Sequence, residues 1–217
     1  TAPDKHKIGE HFSMKAIILA AGKGGRLAPH TDSRPKCLVQ VDGKAILDYQ
    51  LEALEAAGVE DVVIVTGYRK EMVAEHLRHR KVASFTLIEN ELYGETNTAY
   101  SLWLARHEMT DDFFYLNGDV LIHPEIIRRL AGSTAPEALA MERKTCGEEE
   151  VKATLDGVRV TALSKTVPPS EAYGEFIGIA KFSRRFGPSF RAALEEVIEE
   201  DRLLTVYFEA ALERLLE

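Results

Sequence analysis

Four short apolar runs, KAIIL (15–19), DVVIVTG (61–67), SFTLIEN (84–90) and DFFYLNGD (112–119), alternate with stretches of helical spacing. That alternation limits the fold more than any other feature of the chain. A β-branched run bounded by small or turn residues reads as a buried strand. Between the runs, AILDYQLEALEAAG (45–58) sets Leu47, Leu51, Leu54 and Ala57 on one helical face and stops at Gly58. KEMVAEHLRHR (70–80) offers Met72, Val73 and Leu77, and TAYSLWLARHE (98–108) continues the series. PEIIRRLAG (124–132) opens on Pro124, in the first turn where a helix accepts proline. Repeated strand–helix–strand units imply right-handed crossovers and a mostly parallel sheet.

Further along the pattern changes. EALAMER, EVKATLDG, VRVTALSK and GEFIGIAKFS are short strand-like pieces broken by Gly, Pro and charge. They predict mixed or antiparallel additions on one side of a site. FRAALEEVIEE (190–200) and VYFEAALERLL (206–216) predict two closing amphipathic helices. With no internal repeat and no long linker, residues 14–217 read as one domain. Residues 1–13 lack both periodicity and the apolar core of a secretory signal, and read as a tag remnant or loose tail before Met14.

The net charge of −8 opposes general nucleic-acid binding, which needs a broad basic face. No apolar run approaches the roughly 20 residues of a membrane span. Cys37 and Cys146 stand far apart without a CxxC neighbour, so they read as free thiols of a reducing, cytoplasmic compartment. The histidines form no HxxxH or HExxH pattern, and His76 and His79 read as part of a solvated helix face. Nothing marks an oligomer interface.

Against that acidic background, LAAGKGGRLAPHTDSRPK (19–36) is basic and glycine-rich and follows the first strand directly. In an open parallel sheet, ligands bind outside the carboxyl ends of the strands. Ala20, Ala21 and Gly22 let a ligand approach the backbone, while Gly24 and Gly25 can aim N–H groups at an anion. Lys23, Arg26, Arg34 and Lys36 outweigh the single acid Asp32. The stretch therefore reads as a polyphosphate loop. It is neither a dinucleotide fingerprint nor a Walker motif, since GxGxxG and GK[ST] are both absent.

The same stretch, extended through CLVQVDGKAIL, resembles the opening motif of the nucleotidyltransferases that couple nucleoside triphosphates to phosphorylated sugars and alcohols. VTGY after the second strand and NGD after the fourth extend the likeness. TNTAYSLWLAR and GEFIGIAKFS resemble the phosphocholine cytidylyltransferase branch. Gly25 departs from the family, which often carries a hydroxyl residue there, and leaves the backbone to meet the phosphate. The resemblance implies a three-layer αβα Rossmann-like fold, with a mostly parallel mixed sheet and a small antiparallel acceptor-side addition.

It also implies the reaction: an acceptor phosphate attacks the α-phosphorus of the triphosphate and pyrophosphate leaves. A phosphate oxygen needs no strong base, so cations and metal supply most of the catalysis. By motif match Arg26 and Lys36 are the catalytic cations. Leu19, Ala20, Ala21, Gly22, Lys23, Gly24, Gly25 and Gly118 line the nucleotide. Asp119 and Glu209 are the expected Mg2+ ligands, with Asp201 a weaker candidate. Thr96, Asn97 and the backbone at Gly94 would meet the base, although such groups do not separate cytosine from uracil. The CTP preference rests on the branch.

The acceptor would lie against Lys165 and Glu175. A choline head group would need an aromatic wall, for which Trp103 and Tyr173, with Tyr93 and Tyr100, are available. The implied function is a magnesium-dependent cytidylyltransferase acting on CTP and a small phosphorylated alcohol or phosphonate, phosphocholine first. A sugar-1-phosphate nucleotidyltransferase using UTP, dTTP or GTP and a non-catalytic nucleotide-binding protein remain open alternatives.

Overall fold

The computed structural model describes residues 14–80 and 84–216, apart from the side chain of Arg26. The expected tail, residues 1–13, lies outside the described residues. The four apolar runs form β1 (Met14–Ala20), β4 (Asp61–Thr66), β5 (Ser84–Glu89) and β6 (Asp112–Asn117), all mutually parallel along the order β5-β4-β1-β6. A small separate hairpin, β2 (Gln40–Val41) and β3 (Lys44–Ala45), leads into α1 (Ile46–Glu55).

The helices follow as read: α2 (Lys70–Arg78), α3 (Thr98–Leu104) and α4 (Pro124–Ala131). Strand side chains alternate between two cores. Ala16, Ile18 and Ala20 pack with Leu47, Leu51, Val73 and Ile127 of α1, α2 and α4. Ile17 and Leu19 pack with Leu102 of α3 and with Phe190, Leu194 and Ala211 of the closing helices α5 (Gly187–Glu195) and α6 (Glu209–Glu213). The fold is therefore three layers, helices on both faces of one sheet.

The later strands are antiparallel additions. β10 (Gly174–Phe182) pairs with β6 through residues 179–182. On its other edge runs β7 (Ala138–Glu142). At its start β10 pairs with β8 (Lys152–Asp156), which makes a hairpin with β9 (Arg159–Ser164). β6 and β8 thus share one edge of β10 on either side of Gly178, and the space between their ends opens into a cleft.

The end of the chain differs from its sequence reading. α5 runs into a π-helical turn at Glu196–Glu200, and the helix expected over 206–216 begins only at Glu209. Residues 201–208 form bends and turns that run beside the start of α3. The carbonyls of Leu204 and Val206 accept from the Asn97 and Ala99 amides at 3.0 and 3.3 Å. Amides in a first helical turn have no partner within their own helix. This strap supplies one, and so draws its own backbone out of helical form.

Candidate active site

The turn after β1 is built for close approach. Gly24 sits at φ +68, left-handed geometry that a glycine adopts without strain. Its carbonyl accepts from Leu27 N and from the buried Thr31 hydroxyl, both at 2.9 Å. A Cβ on Gly24 would stand only 3.0 Å from Cβ of Lys36, so the loop rests on the lysine stem. Lys36 opens a single 3-10 turn, Lys36–Leu38, after Pro35. Its ammonium forms an ion pair with Asp119, which follows β6 through Gly118. Gly118 N donates to Leu19 O at 2.8 Å, which ties the ends of β1 and β6 together.

These ends border a cleft of about 920 Å3. Leu19, Ala20, Gly22, Gly24, Gly25, Gly118, Lys36 and Asp119 line it on one side. Thr96 and Asn97 line it from the start of α3, and Lys165, Glu175 and Glu209 from the far side. Thr96 is fixed from both directions: its hydroxyl donates to Leu92 O at 2.8 Å and accepts from the buried Asn90 side chain at 3.0 Å. Asn97 caps α3, accepting from Thr98 N at 2.9 Å.

Other expected residues stand apart from the cleft. Ala21 is buried and its carbonyl accepts from Tyr68 N. Lys23 lies over the Tyr68 ring, 5.9 Å from its centroid, and Gly94 is exposed. The side chain of Arg26 lies outside the described residues. The expected aromatic wall is not assembled. Trp103 stacks on Tyr100 and donates from Nε1 to Glu199, and the Arg106 guanidinium lies over its ring, 4.1 Å from the centroid. Tyr173 is exposed beside Arg143, and Tyr93 faces Tyr68. Asp201 is ion-paired with Arg214, away from the lining. His76 is no solvated bystander: its Nε2 lies 2.8 Å from Asp48 Oδ1 and ties α2 to α1.

Sequence reasoning missed Tyr207, Glu149, Thr98, Cys37 and Gly178, all of which line the cleft. Cys37 is buried, and burial pushes its thiol up to about 12, so it acts as packing and not as a nucleophile. Gly178 was detectable, because glycine inside a strand signals a bulge or a close approach. Its Cβ would fall 2.4 Å from Asn117 Nδ2. Glu149 lies in an acidic run without periodicity and gave no signal.

Glu209 is the electrostatic centre of the site. It is 6% exposed, and its Oε2 has no hydrogen-bond partner. Burial pushes its carboxyl up to about 7, against the opposing pull of Lys165. Tyr115, fully buried beneath, is raised by its own desolvation and then by the charges of Glu209 and Asp119. Glu209 and Asp119 both line the same cleft. Among the described residues no cluster of three or more His, Cys, Asp or Glu could hold a metal. Two carboxylates, Asp119 paired with Lys36 and Glu209 with an unpartnered oxygen, do suit magnesium, which keeps several waters and completes its shell with phosphate. They do not suit a closed zinc site.

A family model described as nucleotidyl transferase matches residues 15–154, which include Lys36 and Asp119. Among curated proteins, a CTP:phosphoglutamine cytidylyltransferase of Campylobacter jejuni is 28% identical over an alignment of 228 positions, covering 94% of this chain and 88% of that protein. A choline-phosphate cytidylyltransferase of Streptococcus pneumoniae is 42% identical over 100 residues, covering 46% of this chain and 42% of that protein. Among solved structures, the CTP:phosphocholine cytidylyltransferase of Streptococcus pneumoniae matches with a TM-score of 0.74 at 24% identity, over 93% of this chain and 85% of that one. At that identity the likeness is one of fold.

Proposed function

Because the chain belongs to the nucleotidyl transferase family, we propose that it transfers CMP from CTP to a small phosphorylated alcohol or phosphonate and releases pyrophosphate. The observation that carries this reading is the meeting of Lys36 and Asp119 beneath a glycine turn, at the mouth of one cleft. The choice of CTP is supported by the two cytidylyltransferases named above, whose acceptors are phosphoglutamine and choline phosphate. Phosphocholine is the first acceptor to test. Two buried free thiols favour a reducing, cytoplasmic setting. Among the described residues no helix is long and apolar enough to cross a membrane.

The chemistry is electrostatic. An acceptor phosphate oxygen forms a bond to the α-phosphorus while the bond to the bridging oxygen of the β-phosphate breaks, and the leaving pyrophosphate takes that electron pair. Both partners are anions, so the chain must neutralise their repulsion. Lys36 supplies a charge at the α-phosphate once it exchanges Asp119 for a phosphate oxygen. The pair is partly exposed, so this exchange costs little. The N–H groups around Gly24 and Gly25 face the triphosphate, and Arg26 joins them by motif. Lys165 meets the acceptor phosphate. Asp119 and Glu209 would hold Mg2+, which when bound supplies further positive charge to the triphosphate.

Pyrophosphate release with CTP, UTP, dTTP and GTP, each paired with phosphoalcohol and sugar-1-phosphate acceptors, tests the proposal. Turnover with CTP is expected. Lys36→Ala should lower kcat by two orders of magnitude or more while CTP still binds. Turnover confined to UTP, dTTP or GTP with a sugar-1-phosphate would replace this reading with the sugar-nucleotide one.

A further inference from the structure

The buried face of α1 is apolar, from Ile46 and Leu47 to Leu51 and Leu54, with one exception. Gln50 is fully buried among them. Its Nε2 donates to two carbonyls, Asn117 O and Val120 O, both at 2.8 Å. Both neighbours are acceptors, so only the NH2 end of the amide can face them. Oε1 is left buried without a partner. A bare buried acceptor is a cost that an apolar side chain of the same length would avoid. Breaks of this kind collect where function requires them.

The two carbonyls are the ends of the turn that carries Asp119. Asn117, Gly118, Asp119 and Val120 form it, closed by Val120 N donating to Asn117 O at 3.3 Å. In its middle the turn is pressed against β1. Gly118 N donates to Leu19 O, and a Cβ on Gly118 would stand 2.7 Å from the same oxygen. The turn is thus held at its centre by β1 and at both ends by Gln50. The same helix also fixes Lys36. Val39 N donates to Lys36 O at 3.1 Å, and Ile46 N, at the start of α1, donates to Val39 O at 3.0 Å. Ile46 and Gln50 are four residues apart, about 6 Å along a helix. One turn of α1 therefore links the tether of the lysine to the tether of the aspartate.

We infer, resting on the transferase reading above, that Gln50 is a positioning residue for the metal-binding carboxylate. It holds the Asp119 turn at a fixed reach from Lys36, so that Asp119 keeps the place from which it would hold Mg2+ after it releases the ammonium. Gln50 itself is closed off from the cleft and acts only through the turn.

Gln50→Met tests this, because it keeps the length and removes the amide with both its bonds and its bare oxygen. Thermal unfolding is followed for the parent, Gln50→Met, Asp119→Asn and the double variant, each alone, with CTP and Mg2+, and with CTP and chelator. Without ligand, Gln50→Met should melt within about 4 °C of the parent, since the lost bonds and the removed bare oxygen offset one another. The part of its CTP shift that needs Mg2+ should fall by at least half, and the part that survives chelator should stay. In the Asp119→Asn background the same substitution should remove nothing further, because both act through one carboxylate. Kinetically, the Mg2+ concentration for half-maximal rate should rise while KM for CTP at saturating metal holds. Gln50→Leu, of different shape, should repeat the loss.

The parent's full metal-dependent shift in Gln50→Met overturns the inference and leaves the transferase reading intact. So does an equal further loss in the Asp119→Asn background, and so does failure of both Gln50 variants to fold, which would make the residue a general support of the core. If the parent shows no metal-dependent shift, the inference falls, and pyrophosphate release from CTP then decides whether the transferase reading stands.

Discussion

A carboxylate that leaves water for the wall of a cleft holds its proton tightly, and Glu209 does so. Its ordinary value of 4.5 is pushed up to about 7 by burial, with Oε2 unpartnered. The folded chain therefore binds more protons than the unfolded chain between those values. Its metal-free stability falls as pH rises from about 4.5 to about 7, and the full cost persists above. At 1.36 kcal/mol per unit that cost is about 3 kcal/mol. Glu209→Gln removes the charge and keeps the shape. Chelator-treated Glu209→Gln should melt higher than the parent at pH 8 and level with it near pH 4.5, while pyrophosphate release is lost. A parent as stable as the variant at pH 8 would contradict the burial cost. Gains in stability alongside lost activity mark a group kept for its site. Lys36 and Asp119 were legible because each closes a tight local motif. Trp103 was not, because an aromatic residue on a helix does not declare which way its face turns.

Elements place such residues, and the acceptor side depends on one buried lysine. Lys152 begins β8 and gathers three carbonyls of the preceding turn. Lys152→Met would keep the length and remove all three donors. Losing hydrogen bonds to an ammonium costs on the order of 1–3 kcal/mol, here reduced because the turn can reach water. The variant should unfold at lower temperature, nick faster within 147–150 under limited proteolysis, and show a raised acceptor KM with the CTP KM unmoved. A raised CTP KM would instead mean that the damage spreads through the sheet. The strands and crossover helices of the first half were legible because apolar spacing repeats in them. The strap before α6 was not. Its sequence carries helical spacing, and only the unpaired first-turn amides of α3 explain why it is drawn out of a continuous helix.

At the scale of the molecule, the cleft is where pieces distant in sequence converge: the turn after β1, the end of β6, the start of α3 and the approach to α6. The parallel half of the sheet could be read from the chain. The way β10 joins it could not, because pairing depends on edges and on the break at Gly178 that no local pattern encodes. A ligand touching all four pieces binds the folded chain and has little affinity for the unfolded one, so it raises stability by RT ln(1 + [L]/Kd). At a hundred times Kd this is about 2.7 kcal/mol, which for a chain of this size is roughly 5–10 °C in Tm. CTP with Mg2+ should produce a shift of that order. Chelator should remove most of it, because Asp119 and Glu209 would then face the triphosphate as bare anions. Asp119→Asn should narrow the gap between the metal-loaded and chelated protein without abolishing binding to the glycine turn. A shift of equal size with and without chelator would mean that the triphosphate is held by the loop cations alone, and would remove the two acids from the metal role proposed for them.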